Sequence, residues 1–374
     1  MSIRLAFVGD LMLSAAGNSP YFEDSAPVLR AADIAIGHLE WPHTERGQVS
    51  VVDIPAPACE PRALDAVADA GIDVLTMAGN HMFDQGVFGV IDSVEGIRSR
   101  GMQPVGAGAT VAEARTPAIV ERGGLKVGFL SYNCVGPRES WATSVKAGVA
   151  PLRIINHYEL DIASPGSTPR EYTSVDPDSA ADMREDIASL AQQVDIVCVS
   201  MHKGMGFVRA TLAQYEREVS RIAIDAGADI VIGHHAHILR GVETYRGKPI
   251  FHGINHFVPA YTEQTDPLNP KAHRPRPRKV PSLEFFQPDP GTAPFPFPKE
   301  SRHTIIATVD VDTDGVSTAG FVPCYLGSDS HPRVLRGEDA RATVDYVDAI
   351  SHEAGLETDI DWSNGEATFC RRRA

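Results

Sequence analysis

Over the first 260 residues, short apolar runs alternate with helix-like stretches, and five of the runs end on a chemically useful side chain. "IRLAFVG" leads into Asp10, "ADIAIGHLE" closes on Glu40, and "GIDVLTMAGNH" closes on Asn80 and His81. "VDIVCVSMH" ends in His202, and "ADIVIGHHAH" carries His235 and His237. Between the runs, 61–70, 87–100, 180–193 and 211–226 show helical patterning. Continuous apolar strands alternating with helices predict an α/β chain: a largely buried sheet with helices on both faces. In open sheets of this kind ligands bind at the carboxyl ends of the strands. Asp10, Glu40, Asn80, His81, His202, His235 and His237 are therefore the candidate site.

Mixed carboxylate, amide and imidazole donors suit a borderline or hard divalent cation such as Ca, Mn, Zn or Fe rather than a thiolate site. His235 and His237 are two positions apart, so an extended turn points both rings at one centre, while His234 points away and reads as structural. His43, His157, His331 and His352 lie in polar, loop-like or helical surroundings and read as surface residues. Trp41, next to Glu40, reads equally as a pocket wall or as core. "VGAGAT" (105–110) lacks the lysine of a phosphate loop and reads as a turn into a helix.

Apolar residues make up 43% of the chain, enough for a full core. A net charge of −15 argues against nucleic acid, whose phosphates would be repelled. The opening apolar run is shorter than a secretory signal requires, and no run approaches the ~20 residues of a membrane helix. Cys59, Cys134, Cys198, Cys324 and Cys370 are scattered, as expected of reduced, buried thiols. A cytoplasmic protein with no membrane partner is the expectation.

From 261 to 300 the character changes, with ten prolines, a basic cluster that includes Arg274 and Arg276, and the aromatic pairs Phe285–Phe286 and Phe295–Phe297. Such proline density resists regular structure, and a loop of this length reads as a spacer or as a substrate-covering lid. "HTIIATVDVD" and "VSTAGFVPCYL" then read as a hairpin that closes the sheet. A helix is expected over 340–354, within a helical tail at 338–374. The whole of 1–374 reads as a single domain.

Five stretches in order carry a resemblance: "GDLML" (9–13), "HLEWPHT" (38–44), "AGNHMFDQG" (78–86), "SMHKGMG" (200–206) and "GHHAHILRGVETYRGKPIFHGINHFV" (233–258). With these the chain resembles the CapA family of poly-γ-glutamate capsule synthesis, which has the calcineurin-like metallophosphatase fold. The resemblance implies a four-layer αββα sandwich, two sheets in place of one. It also implies a metal held by Asp10, Glu40, Asn80, His202, His235 and His237. His81 would be the acid/base residue beside it, with Asp84 orienting its ring.

Four positions depart from the family pattern. Met12 stands where phosphatases have a histidine ligand, Glu40 replaces the bridging aspartate, and His38 and His256 each occupy a usual asparagine. These shifts favour acid/base chemistry around one ion over a two-metal clamp. The family also includes a lasso-peptide epimerase branch. One expectation is thus a peptide epimerase, using His81, Asp84, Asp10 and His256 to remove and return an α-proton on a peptide or other carboxylate-bearing substrate. Trp41, Arg274 and Arg276 would bind that substrate. The alternatives are a phosphoester hydrolase with a dinuclear centre and a binding module stapled by a metal.

Overall fold

Strand Ile3–Met12 shows how the layers arise. Ile3, Leu5 and Phe7 enter one buried cluster, and Ala6 and Val8 enter another. The same split by parity sends Ile34 and Ile36 one way and Ala35 and Leu39 the other. It also separates Ile196 and Cys198 from Val197, Val199 and Met201. Because side chains alternate across a strand, a run that is apolar at every position must be covered on both faces.

The computed structural model describes residues 2–14, 20–50, 56–160, 166, 169–261 and 297–372. Among these the larger sheet runs in the order Asp361–Ser363, Glu366–Arg371, Gly315–Leu326, His303–Asp312, Ile3–Met12, Ile34–Leu39, Val74–Thr76, Gln103–Val105. The smaller runs Val242–Tyr245, Lys248–Phe251, Ile230–His235, Ile196–Lys203, Leu125–Asn133, Ala118–Arg122. One cluster fills the space between the sheets. The second packs helices Ala26–Ala31, Ala63–Asp69 and Gly86–Arg98 on the larger sheet, and the third packs Pro177–Ala191 and Gln214–Ala226 on the smaller. The result is the four-layer αββα sandwich, so the single sheet suggested by the strand pattern alone gives way to two.

Most expected elements lie where the pattern put them, and the 303–326 hairpin pairs directly with Ile3–Met12. The "VGAGAT" segment does turn into a short helix, Val111–Ala114, capped by the Thr110 side chain accepting from the Glu113 amide. The expected helical tail is a helix only over Gly337–Glu353. Beyond it, Asp361–Ser363 and Glu366–Arg371 form a hairpin on the outer edge of the larger sheet, with Ala367 and Cys370 reaching the inter-sheet core. The ribbon of Ile154–Glu159 and Arg170–Val175 was not expected, because its exposed face lacks an apolar alternation. Arg274, Arg276 and nearly all of the expected lid lie outside the described residues. None of the described helices is long and apolar enough to cross a membrane. All five cysteines are buried single thiols.

Two glycines are required by close approach rather than by backbone angle. A Cβ on Gly9 would lie 2.0 Å from the Asn255 carbonyl oxygen, and one on Gly233 would lie 2.1 Å from that of His252. Both oxygens belong to backbone and cannot move aside. Gly233→Ala is therefore expected to cost roughly 1–3 kcal/mol, at the scale of overpacking a rigid core. A melting temperature equal to that of the wild type would refute this.

Candidate metal and acid/base centre

The two glycines sit where the strands bring their polar ends together. Strand Ile3–Met12 pairs with His303–Asp312 up to Phe7, then with His256–Pro259 from Asp10 onward. Its register against Ile34–Leu39 shifts between the same two residues. Asp10 thus occupies the point where the neighbouring strand changes, and its amide donates to the Asn255 carbonyl at 3.1 Å.

The "GHHAH" turn is not extended, as the sequence suggested. His235 has φ 85° and His237 has φ 50°, with Phe207 at 62° and Asn255 at 66° close by. Left-handed backbone at residues other than glycine costs on the order of 1–3 kcal/mol each and persists only where the surroundings enforce it. The reading of His234 is corrected as well. It shares the parity of Ile230 and Ile232, which face the inter-sheet core, so it points at the centre, its Nδ1 3.1 Å from Asp10 Oδ1. The left-handed backbone of His235 breaks the alternation after it.

The donors gather around Asp10. His202 Nε2 lies 2.7 Å from Asn80 Oδ1 and 3.1 Å from His235 Nδ1. His237 Nε2 lies 3.3 Å from Glu40 Oε1, and its Nδ1 lies 3.9 Å from Asp10 Oδ2. The His235 amide donates to Asp10 Oδ2 at 3.2 Å. All six metal ligands implied by the resemblance therefore meet in one place.

His38, two strand positions before Glu40 and so on the same face, joins them. Its ring stacks on His234 at 4.4 Å and on His202 at 4.8 Å, and its Nδ1 meets Thr76 Oγ1 at 2.8 Å. Asp10, His38 and His202 lie close enough to hold one cation, and Asp10, Glu40 and His237 to hold another. The His38 and His202 planes are only 23° apart, which aims their lone pairs nearly side by side. Asn80 Oδ1 and His235 Nδ1 both approach His202 Nε2.

Burial sets the electrostatics. Desolvation, aided by the charge of Glu40, pushes the Asp10 carboxyl up to about 7. Burial also opposes the charge on Glu40, yet the charge and hydrogen bond of His237 hold its carboxyl down at about 2. Burial lowers His38, His234 and His235 to about 3, so these rings are neutral, as metal ligands must be. His237 is raised instead, because the charge and hydrogen bond of Glu40, with the charge of Asp10, outweigh its burial.

The donor chemistry fits a divalent cation. Asp10 Oδ1, Glu40 Oε2, His38 Nε2 and His202 Nδ1 are buried without a hydrogen-bond partner. Leaving so many polar atoms unpaired would cost several kcal/mol in total, at about 1–3 kcal/mol for each group. A cation among them would remove that cost.

His81 stands at the edge of this set, with a quarter of its side chain exposed. Its Nδ1 lies 2.6 Å from Asp84 Oδ2, which also accepts from the Ala56 amide at 2.7 Å. This fixes the proton on Nδ1 and turns Nε2 into the basic nitrogen. His256 is fully buried; its Nε2 donates to the Ser301 carbonyl at 3.1 Å and its Nδ1 faces His237 Nδ1 at 3.4 Å. It thereby orients His237 rather than meeting the entrance itself.

Met12 is buried in an apolar cluster with Trp41, Cys59, Phe297 and Leu326. Trp41 also packs edge-on to Tyr261 at 4.9 Å and is only 2% exposed, so it supports the flank of the centre from within the core. His43, expected at the surface, is fully buried: its Nδ1 meets the Trp41 carbonyl at 3.0 Å and its amide donates to Ser93 Oγ at 2.7 Å. Phe207 and Ser301, which the sequence did not single out, also line the histidine set, as does Phe297 from the aromatic end of the proline-rich stretch. Phe207 and Phe297 stack on His237, and Ser301 Oγ donates to the His237 carbonyl at 2.6 Å.

Comparison with known proteins matches residues 4–261 to the family described as "Bacterial capsule synthesis protein PGA_cap". Over 266 residues the chain is 26% identical to "PGA biosynthesis protein CapA" of Bacillus subtilis, covering 68% of this chain and 63% of that one. It is also 26% identical to "Capsule biosynthesis protein CapA" of Bacillus anthracis over 268 residues, covering 68% and 59%. The chain thus spans about three fifths of the length of these relatives. Among solved structures, a calcineurin-like phosphoesterase from Bacillus subtilis aligns over 94% of this chain and 97% of its own, at 12% identity and a TM-score of 0.35. Since the matched stretch contains the whole donor set from Asp10 to His256, the chain belongs to the PGA_cap family of bacterial capsule synthesis proteins.

Proposed function

We propose that this chain is a metal-dependent enzyme that removes and returns the α-proton of a residue in a peptide or glutamyl substrate. The observation that carries this reading is the His81–Asp84 pair at 2.6 Å, with a quarter of the His81 side chain open to solvent beside a largely buried donor set. Asp10, Asn80, His202 and His235, with Glu40 and His237, would hold the ion. When bound, it supplies a positive charge that anchors a carboxylate or carbonyl and acidifies the neighbouring C–H.

The protein's own part is proton handling. With Nδ1–H held by Asp84, His81 Nε2 takes the proton from the α-carbon, and the pair stabilises the imidazolium that forms. Return from the other face would fall to the group of Asp10, His237 and His256, linked by the 3.9 Å and 3.4 Å contacts. One proton leaves and one is added, so the substrate changes only in configuration. The names of the CapA relatives, which refer to capsule and PGA biosynthesis, support a glutamyl or peptide substrate.

A second reading, phosphoester hydrolysis, is favoured by one observation: two candidate donor groups share Asp10, as a two-ion clamp would require. Incubation in D₂O separates the two. Peptide and γ-glutamyl substrates are expected to gain one deuterium at each inverted α-carbon, and chelator should abolish the gain. Turnover of phosphate esters without any deuterium uptake would favour hydrolysis instead.

A further inference from the structure

Arg240 is almost completely buried, yet it lies outside the donor set. Its Nη1 donates to the carbonyls of Met205 at 3.2 Å and Val208 at 2.6 Å, and its Nη2 donates to that of Thr211. Glu216 supplies the counter-charge at 3.4 Å and also accepts from the Ala213 amide at 2.8 Å. A single guanidinium thus gathers three carbonyls of the 204–213 loop, which has no regular hydrogen-bond ladder of its own. Its planar fork of donors suits this, whereas a lysine reaches fewer acceptors at once.

That loop holds the histidine turn. The Phe207 amide donates to the Ala236 carbonyl at 2.8 Å, between His235 and His237. The Phe207 ring stacks on His237 at 5.7 Å, with planes 22° apart. Phe207, His235 and His237 all have left-handed backbones, which relax to extended or helical angles unless something restrains them. The Arg240 amide, anchored on the Gly253 carbonyl at 2.9 Å, closes the circle from the same chain segment.

The geometry points to Arg240 as a positioning residue: through the 204–213 loop and Phe207 it holds His235 and His237 in the strained turn that presents both rings to the cation. This rests on the reading of the centre as a metal site. It makes the turn's shape depend on a guanidinium whose hydrogen bonds go to the 204–213 loop and Glu216, although Arg240 follows His237 by only three positions.

The test is calorimetric titration of the chelator-treated full chain with Zn²⁺ and with Mn²⁺, for wild type, Arg240→Met, Arg240→Lys and Phe207→Gly. Circular dichroism and thermal melts establish folding. Loss of supporting contacts around a metal typically weakens affinity by roughly 10- to 100-fold. That loss is expected for folded Arg240→Met and for Phe207→Gly, with Arg240→Lys recovering part of it. Should Arg240→Met fail to fold, Phe207→Gly decides, since it removes the ring while easing the backbone. Unchanged affinity in folded Arg240→Met, or in Phe207→Gly where that variant decides, overturns the role of Arg240 alone. Absence of binding by the wild type overturns the metal reading itself.

Discussion

His81→Ala is expected to lower kcat by about 10²- to 10⁴-fold, the usual contribution of a positioned acid or base. Its metal content should match the wild type, because the six donors around Asp10 do not include His81. The sign follows from the geometry: Asp84 fixes the proton on Nδ1, so only Nε2 is basic, and alanine removes that nitrogen. Asp84→Asn keeps the volume but loses the negative charge that supports the imidazolium, so a smaller fall of roughly 10–100-fold is expected. Asp84 also accepts from the Ala56 amide, so the melt of that variant must be recorded alongside. Full turnover by a folded His81→Ala would end the acid/base assignment under either reading of the reaction.

The strand ends were legible in the sequence because each apolar run stops at a polar residue and side-chain parity then dictates the face. Parity also places His38 on the face of Glu40. Parity likewise sends His234 inward with Ile230 and Ile232; what no side-chain pattern encodes is the left-handed φ of His235, which breaks the alternation there. Phe297 stands out in the sequence as part of an aromatic pair, but its stacking on His237, and the approach of Ser301 beyond the proline-rich stretch, appear only in tertiary contact. His43 looked polar in its local window and is buried by the helix bearing Ser93. The tail failed for a related reason: "EATFC" alternates correctly for a strand, but it is short and follows a strong helical period, Gly337–Glu353.

Met12 bears on how many ions the centre holds. Two groups share Asp10, one with His38 and His202 and the other with Glu40 and His237. Asn80 and His235 lie against His202 and can add to the first, whereas Met12 is turned into the apolar cluster instead of supplying a fourth donor to the second. Structural divalent sites in proteins favour four or more donors, so the second group should bind weakly. Plasma mass spectrometry on freshly purified protein is therefore expected to find about one ion per chain, rising towards two in Met12→His. Asp10→Ala should fall close to zero, because both groups share that carboxylate and the His235 amide loses its acceptor. Because the two groups differ in donor number, this measurement also separates the reactions. Two tightly held ions in the wild type, unchanged by Met12→His, would show that Glu40 and its neighbours suffice without a fourth ligand. The α-proton reading would then yield to a two-ion clamp on a phosphoryl group, with His81 protonating the leaving oxygen rather than taking a proton from carbon.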